Sequence, residues 1–192
     1  MGKLSRGFYI RDDVVQISRD LLGKELFTCI NGVLTSGVIT ETEAYAGTDD
    51  KASHAFGSRR TNRTKVMYAE GGTAYVYLCY GIHHLFNVVC NQKGIPHAVL
   101  IRAIQPNAGL QTILKRRNKK SVDKTLSGGP GTMSQALGIK TVHSGLDLCG
   151  KKIWIEDAGV KVQDTDIISG PRIGVEYAGE DALLPYRFRW KT

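Results

Sequence analysis

Residues 73–87 read TAYVYLCYGIHHLFN, and they predict the element around which the rest of the chain is organised. The side chains of residues 75–79 would alternate between the two faces of a β-strand. Gly81 permits the backbone conformation that a tight hairpin turn requires. We therefore predict a β-hairpin with Tyr80 and Ile82 exposed at its tip. In a basic protein, apolar groups at such a tip can enter the gap between stacked base pairs, whereas tyrosines on a strand more commonly pack a sheet face.

Length and composition indicate a globular protein. The chain has 192 residues, of which 42% are hydrophobic, and we predict a single domain spanning residues 1–192. Lys and Arg number 26 against 18 acidic residues, which gives a net charge of +8. This excess favours a polyanionic partner, and it equally fits a soluble basic enzyme.

The cysteines predict neither disulfides nor a metal site. Cys29, Cys79, Cys90 and Cys149 form no CxxC pair and show no zinc-ligand spacing, so we expect free thiols and no structural metal. The sequence contains neither a signal peptide nor an apolar run long enough to span a bilayer. It therefore predicts a cytoplasmic protein without membrane association.

The first third of the chain predicts a helix followed by a hairpin. An amphipathic pattern that begins after two aspartates and ends before a glycine indicates a helix over residues 14–22. The dipeptide Asn31-Gly32 lies between two apolar runs and predicts a two-residue hairpin turn. The second strand of this hairpin runs on into ETEAY at residues 41–45.

Three polar side chains of ETEAY would lie on one face of that strand, namely Glu41, Glu43 and Tyr45. The polar and basic segment that follows, residues 47–63, reads as a long irregular loop containing His54. Long loops in compact domains are more often functional than idle. Taken alone, each of these residues also has an ordinary interpretation as a solvated strand or loop residue.

Arg102 interrupts the apolar run AVLIRAI in a predicted strand at residues 97–104. A cation inside such a run is costly unless it has a partner. We expect a carboxylate on a neighbouring strand, and Glu43 is one candidate.

Two further segments can contact anions. A helix over residues 107–114, capped by Asn107, ends in the basic cluster KRR, which fits either a polyanion contact or a solvated helix end. SGGPG at residues 127–131 precedes a short helix and leaves N–H groups for an anion, although it is neither a Walker loop nor a dinucleotide fingerprint. The remaining chain predicts short strands at residues 152–156, 173–177 and 186–190.

The order and spacing of these motifs resemble a known family. ETEAY, a histidine nine residues after its tyrosine, YVYLCYG, Asn87 and LIRAI follow one another as in the alkyladenine (3-methyladenine) DNA glycosylases of the mixed α/β type. The similarity extends from about residue 8 through the SGP and QAL segments to RIGVEYAGE and PYRFRW. It implies an α+β fold, a single mixed domain built on a curved antiparallel sheet with a protruding hairpin that inserts into DNA.

The resemblance also implies an activity. Such an enzyme flips 3-methyladenine, hypoxanthine, ethenoadenine or 7-methylguanine from duplex DNA and hydrolyses the N-glycosidic bond, which starts base excision repair. It would act as a monomer on chromosomal DNA, with no cofactor and no obligate protein partner. Glu43 corresponds to the general base that activates the attacking water and stabilises positive charge developing on the sugar. Arg102 corresponds to the arginine that positions this carboxylate and the water.

The resemblance assigns four residues to the flipped base. Tyr45 and His54 would lie on one face of the base and Tyr77 on the other, since aromatic planes stack on purines and attract cationic alkylated bases. Asn87 would obstruct the 2-amino group of guanine.

The resemblance assigns the hairpin tip to the DNA stack. Tyr80 would fill the space that the flipped nucleotide leaves, and Ile82, at a position where methionine is frequent in the family, would fill space against the opposite strand. The pocket motifs contain no lysine, so we expect no Schiff-base lyase step.

Two other interpretations remain open. Glu41, Glu43, Asp49 and Asp50 are a candidate magnesium site of a nuclease, whose activity a chelator would abolish. A nucleic-acid binding module with aromatic stacking and no catalysis would be unaffected by Glu43→Gln.

Overall fold

The fold is built on one antiparallel sheet. A computed structural model describes residues 2–191, and within them nine strands pair in the order β1-β7-β2-β3-β6-β5-β4, with β9 joining β3 to β8. The strands are β1 Gly2–Lys3, β2 Glu25–Ile30, β3 Val33–Ala46, β4 Ala74–Cys79, β5 His83–Cys90, β6 His97–Pro106, β7 Ile153–Asp157, β8 Ile167–Gly170 and β9 Arg187–Trp190. This architecture confirms the predicted α+β class with an antiparallel sheet.

Helices are few and short. The same residues form four α-helices, which are α1 Arg6–Tyr9, α2 Val14–Asp20, α3 Leu110–Arg117 and α4 Pro130–Leu137. Short 3₁₀ segments lie at Phe56–Ser58, Thr64–Tyr68, Thr141–His143, Asp164–Asp166 and Glu176–Leu183. No helix within residues 2–191 has the length and apolar character needed to cross a membrane.

The long strand β3 is the centre of the sheet. It pairs with β2 over residues 33–38 and with β6 over residues 37–46. Where β2 ends, β9 takes its place and pairs with residues 41–43 of β3. The ETE segment therefore lies between two strands and has no open edge.

The sheet presents different chemistry on its two faces, because strand side chains alternate with period two. Helices α2 and α4 pack on one face and form the main core with it. The sheet residues of this core include Ala44, Val76, Phe86, Val88, Val99 and Ile101. The alternate positions carry Glu43, Tyr75, Tyr77, Asn87 and Leu100, and this second face holds the candidate site.

Both predicted hairpins are confirmed. Asn31 and Gly32 both have positive φ, 53° and 75°, as a tight two-residue turn requires. At the tip of the β4–β5 hairpin, Tyr80 and Gly81 have φ of 50° and 74°. A tyrosine in this left-handed region is strained, at a cost of about 1–2 kcal/mol. The strand pairing and the turn hydrogen bond hold Tyr80 at the end of the ribbon despite this cost.

Two local predictions are wrong. Residues 173–177 do not form a strand, since a turn leads into the 3₁₀ segment Glu176–Leu183. Asn107 does not cap α3, because its Nδ2 donates to Glu25 Oε1 at 2.8 Å and Gly109 occupies the cap position.

The basic cluster in the last turn of α3 is partly structural. Arg116 donates to Thr35 Oγ1 and to the Ala136 carbonyl, both at 3.1 Å. Arg117 donates to the Leu126 carbonyl at 2.9 Å. These two guanidinium groups join α3 to the rest of the fold. They are therefore not simply solvated groups at a helix end.

Ile101→Ala should lower the free energy of unfolding by about 2–5 kcal/mol, because Ile101 lies fully buried in β6 and the truncation leaves a cavity. Ile168→Ala is the matched control in the short strand β8, where the residue is 39% exposed, and it should cost under about 1 kcal/mol. Urea unfolding of both variants measures the difference. Equal losses would contradict the assignment of the main core to the helix side of β6.

Candidate active site

A cavity of about 630 Å³ opens on the second face of the sheet, beside the β4–β5 hairpin. Its volume lies in the range of small-molecule sites. Six of the eight residues assigned from the sequence line it, namely Tyr45, His54, Tyr77, Tyr80, Asn87 and Arg102. The two others, Glu43 and Ile82, are not among the lining residues.

Glu43 lies directly beneath this cavity, fully buried, and contacts three of the residues that line it. Its Oε1 accepts from the main-chain N–H of Ile173 at 2.8 Å and lies 3.1 Å from Arg102 Nη1. Its Oε2 accepts from the Tyr45 hydroxyl at 2.8 Å. A carboxylate has about four acceptor positions, so these three donors leave one of them on Oε2.

Arg102 lies on the same face of β6 as Leu100, at an irregularity in the sheet. Glu41 of β3 lies opposite Ala103 of β6. The next residue of β3, Thr42, lies opposite Ile101. Arg102 is therefore the extra residue of a β-bulge, a feature that redirects side chains near functional sites.

Arg102 bridges the two glutamates of β3, which confirms the predicted carboxylate partner. Its Nε donates to Glu41 Oε1 at 2.8 Å, and its Nη1 pairs with Glu43. Burial acts to lower the pKa of Arg102, but the two carboxylates outweigh it and raise that pKa above the usual value. Arg187 of β9 adds a second cation 3.0 Å from Glu41 Oε1. The negative charges of the two glutamates are thus balanced by the positive charges of the two arginines.

The Tyr45 hydroxyl remains protonated in this network. Burial, and then the neighbouring Glu43 charge, raise the pKa of Tyr45 well above its usual value. Tyr45 is therefore a hydrogen-bond donor to Glu43 throughout the physiological pH range.

The aromatic walls of the cavity touch each other. The His54 and Tyr77 rings meet edge to face, with centroids 4.6 Å apart at 75°. A base stacked between two planes needs about 7 Å, twice the roughly 3.4 Å stacking distance of bases. One of the two rings must therefore move before a purine can lie between them.

His54 is neutral at pH 7. Burial, with the positive charges of Arg63 and Arg59, lowers the pKa of His54 from 6.5 to about 4. Its Nδ1 lies 2.9 Å from the Tyr75 hydroxyl, and burial raises the pKa of Tyr75 to about 12. A neutral imidazole adds no positive charge to the cavity wall.

Asn87 is held rigidly at the cavity wall. It is buried on β5, and its Nδ2 donates to the main-chain carbonyls of Tyr75, at 3.1 Å, and Leu85, at 3.3 Å. Its amide therefore presents a fixed obstacle to any group that enters.

The hairpin tip projects from the protein. Tyr80 is 89% exposed and Ile82 is 71% exposed. The Ile82 N–H donates to the Cys79 carbonyl at 3.2 Å and closes the turn. Both large apolar side chains are thus presented to solvent beside the cavity.

The sequence did not reveal every group that contacts the glutamates. The Ile173 N–H belongs to the main chain and has no residue-type signature, and the sequence pattern predicts a strand for its segment. Arg187 lies in PYRFRW, where a predicted strand at residues 186–190 gave no indication that its guanidinium turns towards Glu41.

Three of the four carboxylates of the nuclease interpretation, all but Asp49, are bound by arginines. Asp50 pairs through both oxygens with Arg172, and Glu41 and Glu43 share Arg102. Among residues 2–191, no group of three or more His, Cys, Asp or Glu side chains is arranged to hold a metal ion. The pairing with arginines disfavours these carboxylates as ligands of a divalent cation.

Comparison with known proteins identifies the class of this site. The family model described as methylpurine-DNA glycosylase matches residues 7–192. A protein of Chlamydia felis is 46% identical over 186 residues, which cover 96% of this chain and 94% of its own. A Clostridium perfringens protein is 42% identical over 194 residues, covering 97% and 94%. A Bacillus cytotoxicus protein is 42% identical over 192 residues, covering 96% and 94%. All three are named, provisionally, as 3-methyladenine DNA glycosylases.

These matches define a DNA glycosylase, a hydrolase of N-glycosyl bonds whose substrate is DNA. The chain belongs to the methylpurine-DNA glycosylase family, whose model spans nearly its whole length. The resemblance deduced from its motifs is confirmed.

The depressed pKa of His54 makes a prediction about stability. Below pH 6.5 the unfolded chain binds a proton at His54 that the folded protein does not bind until about pH 4. The contribution of the neutral imidazole is therefore fully present above pH 6.5 and is lost as pH falls towards 4. Urea unfolding should show that wild type loses stability relative to His54→Gln as pH falls from 6.5 to about 4. Parallel curves would contradict a depressed pKa.

Proposed function

We propose that this protein is a monofunctional glycosylase that flips alkylated or deaminated purines out of duplex DNA and hydrolyses the N-glycosidic bond with a water activated by Glu43. The substrate class comprises 3-methyladenine, hypoxanthine, ethenoadenine and 7-methylguanine. One observation carries the proposal: a fully buried, hydrogen-bonded carboxylate directly beneath an aromatic cavity.

The surroundings of Glu43 support a role as general base. Arg102 and the Ile173 N–H fix Oε1, while Oε2 keeps an acceptor position that a water can occupy beside the Tyr45 hydroxyl. The water gives its proton to Oε2 as its oxygen bonds to the anomeric carbon, and the purine leaves with the electron pair of the broken bond. The negative carboxylate also stabilises the positive charge that develops on the sugar.

The cavity walls suit electron-poor purines. Tyr77 and Tyr45 offer aromatic planes, which attract cationic alkylated bases, and neutral His54 does not repel them. The contact between His54 and Tyr77 opens when the base enters. Rigid Asn87 excludes guanine by a clash with its 2-amino group, which gives selectivity to a pocket that accepts many stacked purines.

The hairpin supports base flipping. Tyr80 occupies the stack that the extruded nucleotide leaves, and Ile82 fills space against the opposite strand. The net charge of +8 favours association with the phosphate backbone. We further propose that the protein acts as a monomer on chromosomal DNA and needs water but no cofactor.

The reaction proposed is hydrolytic and does not pass through a Schiff base. A Schiff base requires an amine near the anomeric carbon, and the cavity lining formed by residues 2–191 contains no lysine.

Glu43→Gln should lower the single-turnover rate of hypoxanthine excision by about 10²–10⁴-fold, because the amide cannot accept the proton of the water. Affinity for the lesion-containing duplex should change little. Glu70→Gln, at a side chain 58% exposed, is the matched charge-removing control and should excise normally. Excision by Glu43→Gln within tenfold of wild type would remove Glu43 as the base and would favour a binding module.

Tyr80→Ser should weaken binding and excision more on a well-paired lesion than on a mispaired one, where extrusion already costs less. The salt dependence of binding should stay nearly unchanged, since each lost phosphate contact would reduce the log–log slope by about 0.9 and a neutral ring releases no counterions. Gel-shift titrations at several salt concentrations and excision from both duplexes measure these effects. Equal losses on the two duplexes, or a slope change of one phosphate contact, would mean that Tyr80 contacts the backbone or stabilises the fold.

A further inference from the structure

A buried ion pair lies next to the candidate site without belonging to the cavity. The side chain of Arg172 is fully buried, and that of Asp50 is 2% exposed. The guanidinium donates through Nη1 to Asp50 Oδ2 and through Nη2 to Oδ1, so the pair is bidentate.

Asp50 holds the loop that follows β3. Its Oδ2 accepts from the Ala46 N–H and its Oδ1 from the Ala52 N–H, both at 2.9 Å. Each oxygen is thus shared between Arg172 and the main chain. The carboxylate fixes the beginning of the segment that carries His54.

Arg172 holds the C-terminal part of the chain against β3. Its Nη1 also donates to the Ala44 carbonyl at 2.8 Å, and its Nη2 to the Asp181 carbonyl at 3.0 Å. The pair therefore joins four segments: β3, the loop after it, the segment that carries Arg172 and the 3₁₀ segment Glu176–Leu183.

Two features of the chain connect Arg172 to Glu43, the proposed base. Ile173, whose N–H donates to Glu43, directly follows Arg172, and Ala44 directly follows Glu43. The centre of the guanidinium also lies 4.9 Å from the centre of the Tyr45 ring, whose hydroxyl is the donor to the other oxygen of Glu43. Arg172 thus adjoins the donors to both oxygens of Glu43.

A role in stability alone does not require this pair. Apolar residues of similar volume often replace a buried ion pair without loss of stability. The arrangement also leaves Arg172 Nε buried without a hydrogen-bond partner among residues 2–191. A charged, bidentate pair makes directional hydrogen bonds that orient the adjacent main chain. Apolar packing has no such directionality.

We propose that Arg172, held by Asp50, is a positioning residue that places the Ile173 N–H and the Tyr45 ring so that Glu43 is aligned for its reaction with water. This inference rests on the proposed function of Glu43 as the base. Arg172 does not contact the substrate, so its loss should affect the chemical step and leave DNA binding nearly intact.

Arg172→Lys keeps the positive charge but loses the bidentate hydrogen bonding to Asp50. Its single-turnover excision of hypoxanthine should fall about tenfold to hundredfold, the size of effect expected from a displacement near 1 Å. Affinity for the lesion-containing duplex should stay within about threefold. The double variant Asp50→Leu/Arg172→Met replaces the pair by apolar groups. It should recover thermal stability relative to either single replacement and should still excise slowly.

Ile113→Val is the matched control for a simple loss of stability, because Ile113 is fully buried in α3 away from the cavity. Measured well below its melting temperature, it should excise at the wild-type rate. Arg172→Lys excising within threefold of wild type would overturn the inference. If Arg172→Lys does not fold, a folded Asp50→Leu/Arg172→Met variant with normal excision would overturn it equally.

Glu43→Gln, measured in the same series, separates the two proposals. An inactive Glu43→Gln together with a fully active Arg172→Lys would overturn only the positioning inference. Undiminished excision by Glu43→Gln would overturn the proposed base and the positioning inference with it.

Discussion

The structure depends on one constraint, the burial of the negative charge of Glu43. A carboxylate removed from water needs opposite charge and hydrogen bonds. Strand pairing provides them here, because β9 replaces β2 beside β3 at the ETE segment and brings Arg187 to Glu41. Arg102, at the bulge in β6, contacts both glutamates. The two strands that flank the ETE segment thus supply the cations that compensate the charges of its glutamates.

The alternation of the strands explains how one sheet serves both stability and chemistry. One face of β3, β4, β5 and β6 packs against α2 and α4 and forms the main core. The other face places Glu43, the tyrosines and Asn87 around a cavity. A rigid, well-packed face supports the face of the proposed site, and catalysis there would need such precise positioning. The hairpin continues two of these strands, so its exposed tip is fixed relative to the cavity.

Much of this arrangement could be predicted from the sequence, for reasons that differ between elements. Both hairpins followed from local turn chemistry, since Asn31-Gly32 and Gly81 favour positive φ. The partner of Arg102 followed from the cost of an unpaired charge. The Ile173 N–H could not be predicted, because a main-chain donor is independent of residue type. Asn107 was assigned to a helix cap on a local rule, and a tertiary contact with Glu25 prevailed.

The most direct test of the account is base release from a panel of duplexes, each carrying one hypoxanthine, 3-methyladenine, ethenoadenine or 7-methylguanine. The account predicts that free base appears from at least the methylated and deaminated purines and that strands break only after alkali reveals the abasic site. Undamaged guanine in the same duplexes should stay in place. No base release from any of the four duplexes, or strand breakage before alkali, would contradict hydrolysis of the N-glycosidic bond at this site.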